Sequence, residues 1–322
     1  MANLGLGMAA IGRPGYINLG HGDDLSGKRS IESMRQNSHA ILDVAWESGV
    51  RYFDTARSYG RAEEFLGTWI RSRNISPNEI TVASKWGYVY NAAWQVETPA
   101  GVAHEVKRHE IPVLRSQYAA SINNLGTHLD LYQIHSATIE SGVLEDRDVL
   151  VFLDRIRRAG IQIGLSVSGP QQAEAIEKAV SISIDGIRLF DAVQATWNLL
   201  ERSAGPALAA ANELGMAVIV KEAVANGRLT TRNRSLGFSR ERRLLDRLAK
   251  ENETTLDALS LAAAVNQPWA TTVLSGAATA KHLTSNLLAR EVNWTDQISD
   301  ELAAICESPV VYWETRSQLT WN

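Results

Sequence analysis

The chain has 322 residues, with 32 lysines and arginines against 36 aspartates and glutamates and a formal net charge of -4. It has no basic run long enough to track a phosphate backbone, which argues against a nucleic-acid partner; its longest apolar stretches, Met216 to Val220 and Leu259 to Val265, fall far short of the ~20 residues that span a bilayer. Cys306 is the one cysteine, so an internal disulfide and a zinc cluster are excluded, and with no charged-then-apolar segment at Met1 the expected compartment is the cytoplasm.

The first expected strand is Leu6 to Ile11. A helical pattern follows at His39 to Trp46, with Ile41, Val44 and Ala45 on one face and a stop at Gly49. Strand Arg51 to Asp54 then leads to helix Arg61 to Ile70, whose buried face is Ala62, Phe65, Leu66 and Trp69. Strand Glu79 to Lys85 is followed by a long insertion, Tyr88 to Pro112, and then by strand Asp130 to His135. Helix Val149 to Ala159 carries Val149, Phe152, Leu153 and Ile156 and is stopped by Gly160. Strands Ile161 to Ser166, Ala192 to Gln194 and Ala217 to Lys221 come next. A second insertion, Asn226 to Ser239, precedes strand Thr271 to Ser275, and residues 308 to 322 form a tail.

The last residues of the seven later strands are separated by 31, 50, 31, 28, 27 and 54 positions. A strand, a crossover helix and two loops need about 30 residues, so the spacing reads as repeated βα units carrying long insertions. With the first strand the count reaches eight. The expected fold is α/β, a single-domain (β/α)8 TIM barrel over residues 1 to 322, with long active-site loops at about 88 to 112 and 226 to 239. The alternative is a doubly wound sheet, which wants a glycine-rich dinucleotide turn after its first strand; Gly5, Gly7 and Gly12 have the wrong spacing and run into the loop Arg13 to Ser26.

In a barrel, the polar residues at the carboxyl ends of the strands converge on one mouth. The strand ends supply Asp54 with Tyr59 just beyond it, then Lys85, His135, Ser166, Gln194, Lys221 with Glu222, and Ser275. Tyrosine is a poor acid unless a nearby ammonium stabilises its phenolate, and that ammonium needs a carboxylate to hold it charged, so the set suggests proton transfer to a carbonyl oxygen. Taken singly, each residue has a plainer role: Asp54 as a helix N-cap, Tyr59 packed under a helix, Lys85 solvated, His135 a hydrogen-bonded structural histidine. Their conjunction on successive strands carries the functional reading.

The stretches Tyr52 to Gly60 (YFDTARSYG), Ala83 to Gly87 (ASKWG), Leu131 to His135 (LYQIH), Gly164 to Ser168 (GLSVS) and Gln194 to Leu200 (QATWNLL) resemble the aldo-keto reductase superfamily, in order, from about Leu4 to Leu288. The resemblance implies a carbonyl–alcohol oxidoreductase that binds a nicotinamide cofactor without a Rossmann fold; a single lysine, Lys281, near the expected adenosine end adds the expectation of NADP(H) preferred and NAD(H) usable. The resemblance makes Tyr59 the general acid, Lys85 the group that lowers its pKa, Asp54 the partner of Lys85, and His135 the group that orients the carbonyl. It places Ser166 and Gln194 at the carboxamide. Gly7, Met8, Lys221, Glu222, Ala223, Val224, Asn226, Gly227, Leu229, Ser275, Gly276, Ala277, Lys281, His282 and Asn286 fall along the rest of the cofactor.

Around the expected mouth, Trp86 and Trp313 are candidate substrate contacts beside Tyr59 and His135, and no metal site is expected. For the extra phosphate of NADP, Thr279, Lys281 and His282 are the candidates, with Arg228, Arg232 and Arg234 able to contribute from the second insertion. The chain departs from the family pattern in three places: Val167 stands where many members have Asn, Lys221 stands where many stack an aromatic ring on the nicotinamide, and an amino-terminal hairpin is missing. The partner expected is a small carbonyl compound or alcohol; oligomeric state stays open, and a monomer suffices. A regulatory cofactor-binding subunit, like potassium-channel β-subunits, and a Schiff-base lyase using Lys85 or Lys221 are the competing functions.

Overall fold

The computed structural model describes all residues from 1 to 322. Eight parallel strands close into a barrel in chain order: β1 (Asn3–Gly7), β2 (Tyr52–Asp54), β3 (Thr81–Trp86), β4 (Leu129–Ala137), β5 (Gln162–Val167), β6 (Ala192–Thr196), β7 (Ala217–Lys221) and β8 (Thr272–Ser275), with β8 pairing back onto β1. The crossovers include helices α1 (Ile31–Glu47), α2 (Ala62–Arg73), α3 (Ile111–Leu125), α4 (Arg147–Arg158), α5 (Gln172–Ser181), α6 (Gly205–Glu213), α7 (Ser239–Glu251) and α8 (Leu256–Val265). After β8 come α9 (Ala280–Leu287), α10 (Asp296–Ala303) and α11 (Pro309–Ser317). No helix is long and apolar enough to cross a membrane.

The strand pleat sorts side chains into two apolar layers. Outward-facing Phe53, Val82, Trp86, Tyr132, Leu165, Val193 and Val218 pack under the helices with Trp69, Leu153 and Ile176. The barrel interior is narrower: Ala83, Leu131, Ala192, Ile219 and Leu274 fill it, with Tyr52 and Ala217 against them. Gly5 leaves room for that filling, since a Cβ there would lie 3.0 Å from both Leu274 and the Tyr52 ring. Above this plug the inward positions turn polar, and the site begins there.

The first strand is displaced from its expected place. It occupies Asn3–Gly7 rather than Leu6 to Ile11 and ends where Gly7 pairs with Asp54. Residues 8 to 12 are apolar because they are buried at the rim, where Gly12 meets the turn carrying Tyr59, and burial without a ladder reads the same as a strand in a pattern of hydrophobicity. Helix α1 begins about two turns before its expected start, α2 and α4 lie within three residues of their expected bounds, and the doubly wound alternative is excluded by closure of the sheet. The first insertion folds a short antiparallel ribbon, Tyr88–Tyr90 with Glu105–Lys107, and the second contributes two single 3-10 turns.

Candidate active site

Asp54, Lys85, Gln133 and Gln194 point inward from β2, β3, β4 and β6, one step above the apolar plug. Lys85 and Asp54 form a buried ion pair, 0% and 2% exposed. The ammonium also donates to Thr55 O at 2.9 Å, and the second carboxylate oxygen accepts from Gln194 Nε2 at 2.8 Å and Gln133 Nε2 at 3.3 Å. Asp54 therefore caps no helix; its oxygens are spent on an ammonium and two amides. Burial lowers the Lys85 pKa, and Asp54 pulls it back up.

Tyr59 reaches the same place from a turn beyond β2. Thr55 N and Arg57 N donate to Ala83 O and Lys85 O at 2.8 and 2.9 Å, so the chain tracks β3 before turning, and Arg61 N donates to Gly12 O at 2.8 Å. Gly12 is needed for that close approach, because a Cβ there would lie 2.3 Å from Tyr59 O. The Tyr59 ring lies 4.9 Å from Lys85 Nζ, centroid to nitrogen, and meets the His135 ring edge-on at 5.5 Å. Burial, aided by Tyr16 and Asp54, holds the phenol well above its usual pKa, and the Arg13 guanidinium pulls the other way.

His135 is kept neutral by burial first and then by Lys85, Lys221 and Arg13. Its Nδ1 is 3.5 Å from Ser58 Oγ, its carbonyl oxygen bonds His109 Nε2 at 2.9 Å, and the Tyr88 ring crosses it at 4.9 Å.

These groups open onto one cavity of about 320 Å³. Of the residues singled out in the sequence it is lined by Gly7, Asp54, Tyr59, His135, Gln194, Lys221, Glu222, Ala223, Val224, Asn226, Ser275 and Gly276. Others stand elsewhere. Met8, Leu229 and Ala277 are buried in the core. Gly227 packs against Leu19, whose Cβ would lie 3.1 Å from a Cβ at 227. Ser166 is buried, accepting from Ser136 N at 2.8 Å, and Asn286 lies behind the wall, bonded to Ser275 Oγ at 2.8 Å.

Trp86 is fully buried between sheet and helices, because the residue after inward Lys85 must point outward. Trp313 lies off the cavity as well, with Lys221 and Arg316 against its ring. At the far end Thr279 caps α9 by accepting from His282 N at 3.1 Å, Lys281 is exposed with no side-chain partner, and His282 faces Asp24 at 3.7 Å. Arg228 pairs with Glu307 and Arg232 with Asp24, which leaves Lys281 and Arg234 as the uncommitted cations there.

The first insertion and the tail, with Trp321, were expected at the mouth; what sequence reasoning missed in this outer wall is Arg13, Tyr16 and Arg316. Arg13, 2% exposed, donates to Ser58 O at 2.9 Å and Glu105 at 2.6 Å, with its guanidinium between the rings of Tyr59 and Trp321 at 5.4 and 4.6 Å. The tail returns over the mouth: Arg316 grips Glu222 through both carboxylate oxygens, and Asn322 exchanges backbone bonds with Tyr16 at 3.1 and 3.2 Å. The length of the first insertion signals the ribbon that brings Tyr88 and Glu105. Nothing local signals Arg316.

The Aldo/keto reductase family model matches residues 4 to 307. Among curated proteins the chain is 27% identical to an uncharacterized oxidoreductase, YqkF, of Bacillus subtilis (strain 168), over 82% of this chain and 85% of the relative. It is 27% identical to norsolorinic acid reductase B of Dothistroma septosporum over 53% and 42% of the two chains. Among solved structures, aldo-keto reductase AKR11C1 from Bacillus halodurans, in its holo form, superposes with a TM-score of 0.69 at 20% identity, covering 95% and 92% of the two chains.

Proposed function

The chain belongs to the aldo/keto reductase family, and from that premise we propose that it interconverts a carbonyl compound and an alcohol with a nicotinamide cofactor, Tyr59 acting as general acid and base. The observation that carries this reading is a protonated tyrosine set over a buried Lys85–Asp54 pair, beside a neutral histidine, in one cavity. The cofactor fits the residues present: the cavity runs without a break from Tyr59 and His135 past Gln194 to the turn after β7 and on to Ser275 and Gly276. In that turn Glu222, Ala225 and Asn226 all have left-handed backbones, and Asn226 Oδ1 is buried without a partner.

The nicotinamide, when bound, supplies or accepts the hydride. Gln194 is the group for its carboxamide, the turn from Glu222 to Asn226 for the pyrophosphate, and Ser275, Gly276 and the amino end of α9 for the adenosine half. The chain's own residues do the rest. Neutral His135 donates one ring N–H to the carbonyl oxygen and fixes it near Tyr59. As negative charge grows on that oxygen it becomes more basic than a phenolate, and Tyr59 gives up its proton despite the raised pKa. Lys85, whose ammonium lies 4.9 Å from the Tyr59 ring centroid, then stabilises the phenolate, with Asp54 holding the ammonium in place. Arg13, Trp321 and the returning tail keep water from the reacting atoms. In the oxidative direction Tyr59 takes the proton back. NADP(H) is the preferred form in this reading, read by Lys281, with NAD(H) usable because one flexible ammonium is a weaker reader than an arginine fork.

Tyr59→Phe tests the assignment. Reduction of a generic aldehyde should fall by at least ~10²-fold, with cofactor dissociation held within about threefold because only the transferable proton is lost. Turnover within tenfold of wild type would overturn it.

A further inference from the structure

We propose that the substrate carries its own carboxylate and that Lys221 receives it. The inference rests on the carbonyl–alcohol reading of the same cavity and names its substrate class: a small aldehyde or ketone bearing a carboxylate.

The argument is one of charge matching. Three cations in or under the cavity each have a carboxylate: Lys85 has Asp54, Arg13 has Glu105, and Arg316 has Glu222. Lys221 has none. Its ammonium donates to Thr196 Oγ1 at 2.7 Å, and that hydroxyl in turn lies 3.2 Å from Glu222 Oε2, so the nearest carboxylate stands one hydroxyl away and is already occupied by Arg316. The register that sets Thr196 opposite Lys221 on β6 and β7 fixes this arrangement. Burial pushes the Lys221 pKa down to about 8, against the pull of Glu222, which is the mark of an ammonium whose surroundings do not supply its counter-charge. An anion that enters the cavity completes the pair.

The position favours the substrate over the cofactor's phosphates. Lys221 is the last residue of β7, and its charge is one of those that act on the His135 ring, the group that meets the carbonyl. The left-handed turn that suits a pyrophosphate begins only at the next residue. A charged group held on a strand and braced by Thr196 also gives orientation, which an exposed lysine on a loop would not.

The experiment titrates the full-length protein with benzoate and with its neutral isostere benzamide, read by tryptophan fluorescence, since the Trp313 ring lies 5.9 Å from Lys221 Nζ. Wild type should bind benzoate at least fivefold more tightly than benzamide at pH 7. Lys221→Met should erase the difference while leaving benzamide affinity unchanged, which also reports that the variant is folded; Lys221→Arg should restore it. In turnover, 4-formylbenzoate should lose its KM advantage over 4-formylbenzamide in Lys221→Met. A wild-type preference below fivefold, or a preference that survives Lys221→Met, would overturn the proposal. The binding arm is independent of the reaction: if Tyr59→Phe keeps full turnover, the reduction mechanism fails while the benzoate preference still decides the role of Lys221.

Discussion

Removing the ammonium from the buried pair should cost the protein both its activity and a measurable part of its stability. Lys85→Met leaves Asp54, 2% exposed, facing the space of a side chain that was itself 0% exposed. Breaking a buried ion pair from one side costs about 3–5 kcal/mol, because a charge stays behind without compensation. Here Gln194 at 2.8 Å and Gln133 at 3.3 Å remain as donors to the stranded carboxylate, which places the expected loss toward the lower end, about 3 kcal/mol. For a chain of this size that corresponds to a fall in Tm of about 4 °C. Calorimetry should show this in Lys85→Met and should show most of it recovered in the double variant Lys85→Met/Asp54→Asn, where no carboxylate is stranded. Both variants should be inactive in carbonyl reduction, so stability and chemistry separate. A fall below 2 °C, or a double variant no better than the single one, would refute the argument that charge compensation, and not packing, is what Lys85 contributes to the fold.

Gly12→Ala should lower kcat by about 10²-fold with a smaller effect on cofactor affinity, since its Cβ would meet Tyr59 O at 2.3 Å and Ala62 Cβ at 2.4 Å and must push the tyrosine turn outward; steady-state kinetics on a generic aldehyde checks it. Glu222 is held down to about pKa 2, since Arg316 and Lys221 outweigh the upward push of burial, so its contribution to stability is whole above its unfolded value near 4.5 and is lost as pH falls toward 2. Wild type and Glu222→Gln should therefore differ in Tm at pH 7 and converge on acidification. Lys281→Ala should reduce kcat/KM for NADP(H) by roughly tenfold and leave NAD(H) unaffected, on the scale of one charge-assisted contact at a solvated helix end; equal losses for both cofactors would show that Lys281 does not read the phosphate.

What the amino-acid sequence determined by itself was the barrel and the centre of its site. Recurrence at about 30 residues needs only local information, because each βα unit buries its own apolar face, and parallel closure then gathers every strand end at one mouth. Asp54, Lys85, His135, Gln194 and Lys221 were legible for that reason. The pleat that aims Lys85 inward also sends Trp86 outward into the core, against the expectation of a substrate contact there, which overlooked the alternation along β3. Only the tertiary structure decided the rest. Residues 8 to 12 are apolar without being a strand, since burial under a neighbouring turn leaves the same mark on composition as a ladder does. The pairing of Arg13 with Glu105, Arg316 with Glu222 and Arg228 with Glu307 joins segments 79 to 94 residues apart that carry no periodicity, and it settles which cations are spent and which one, Lys221, is left facing the cavity. A hydrophobic pattern records which face of an element is buried; the partner of a charge is chosen by the packing of loops, where no pattern repeats.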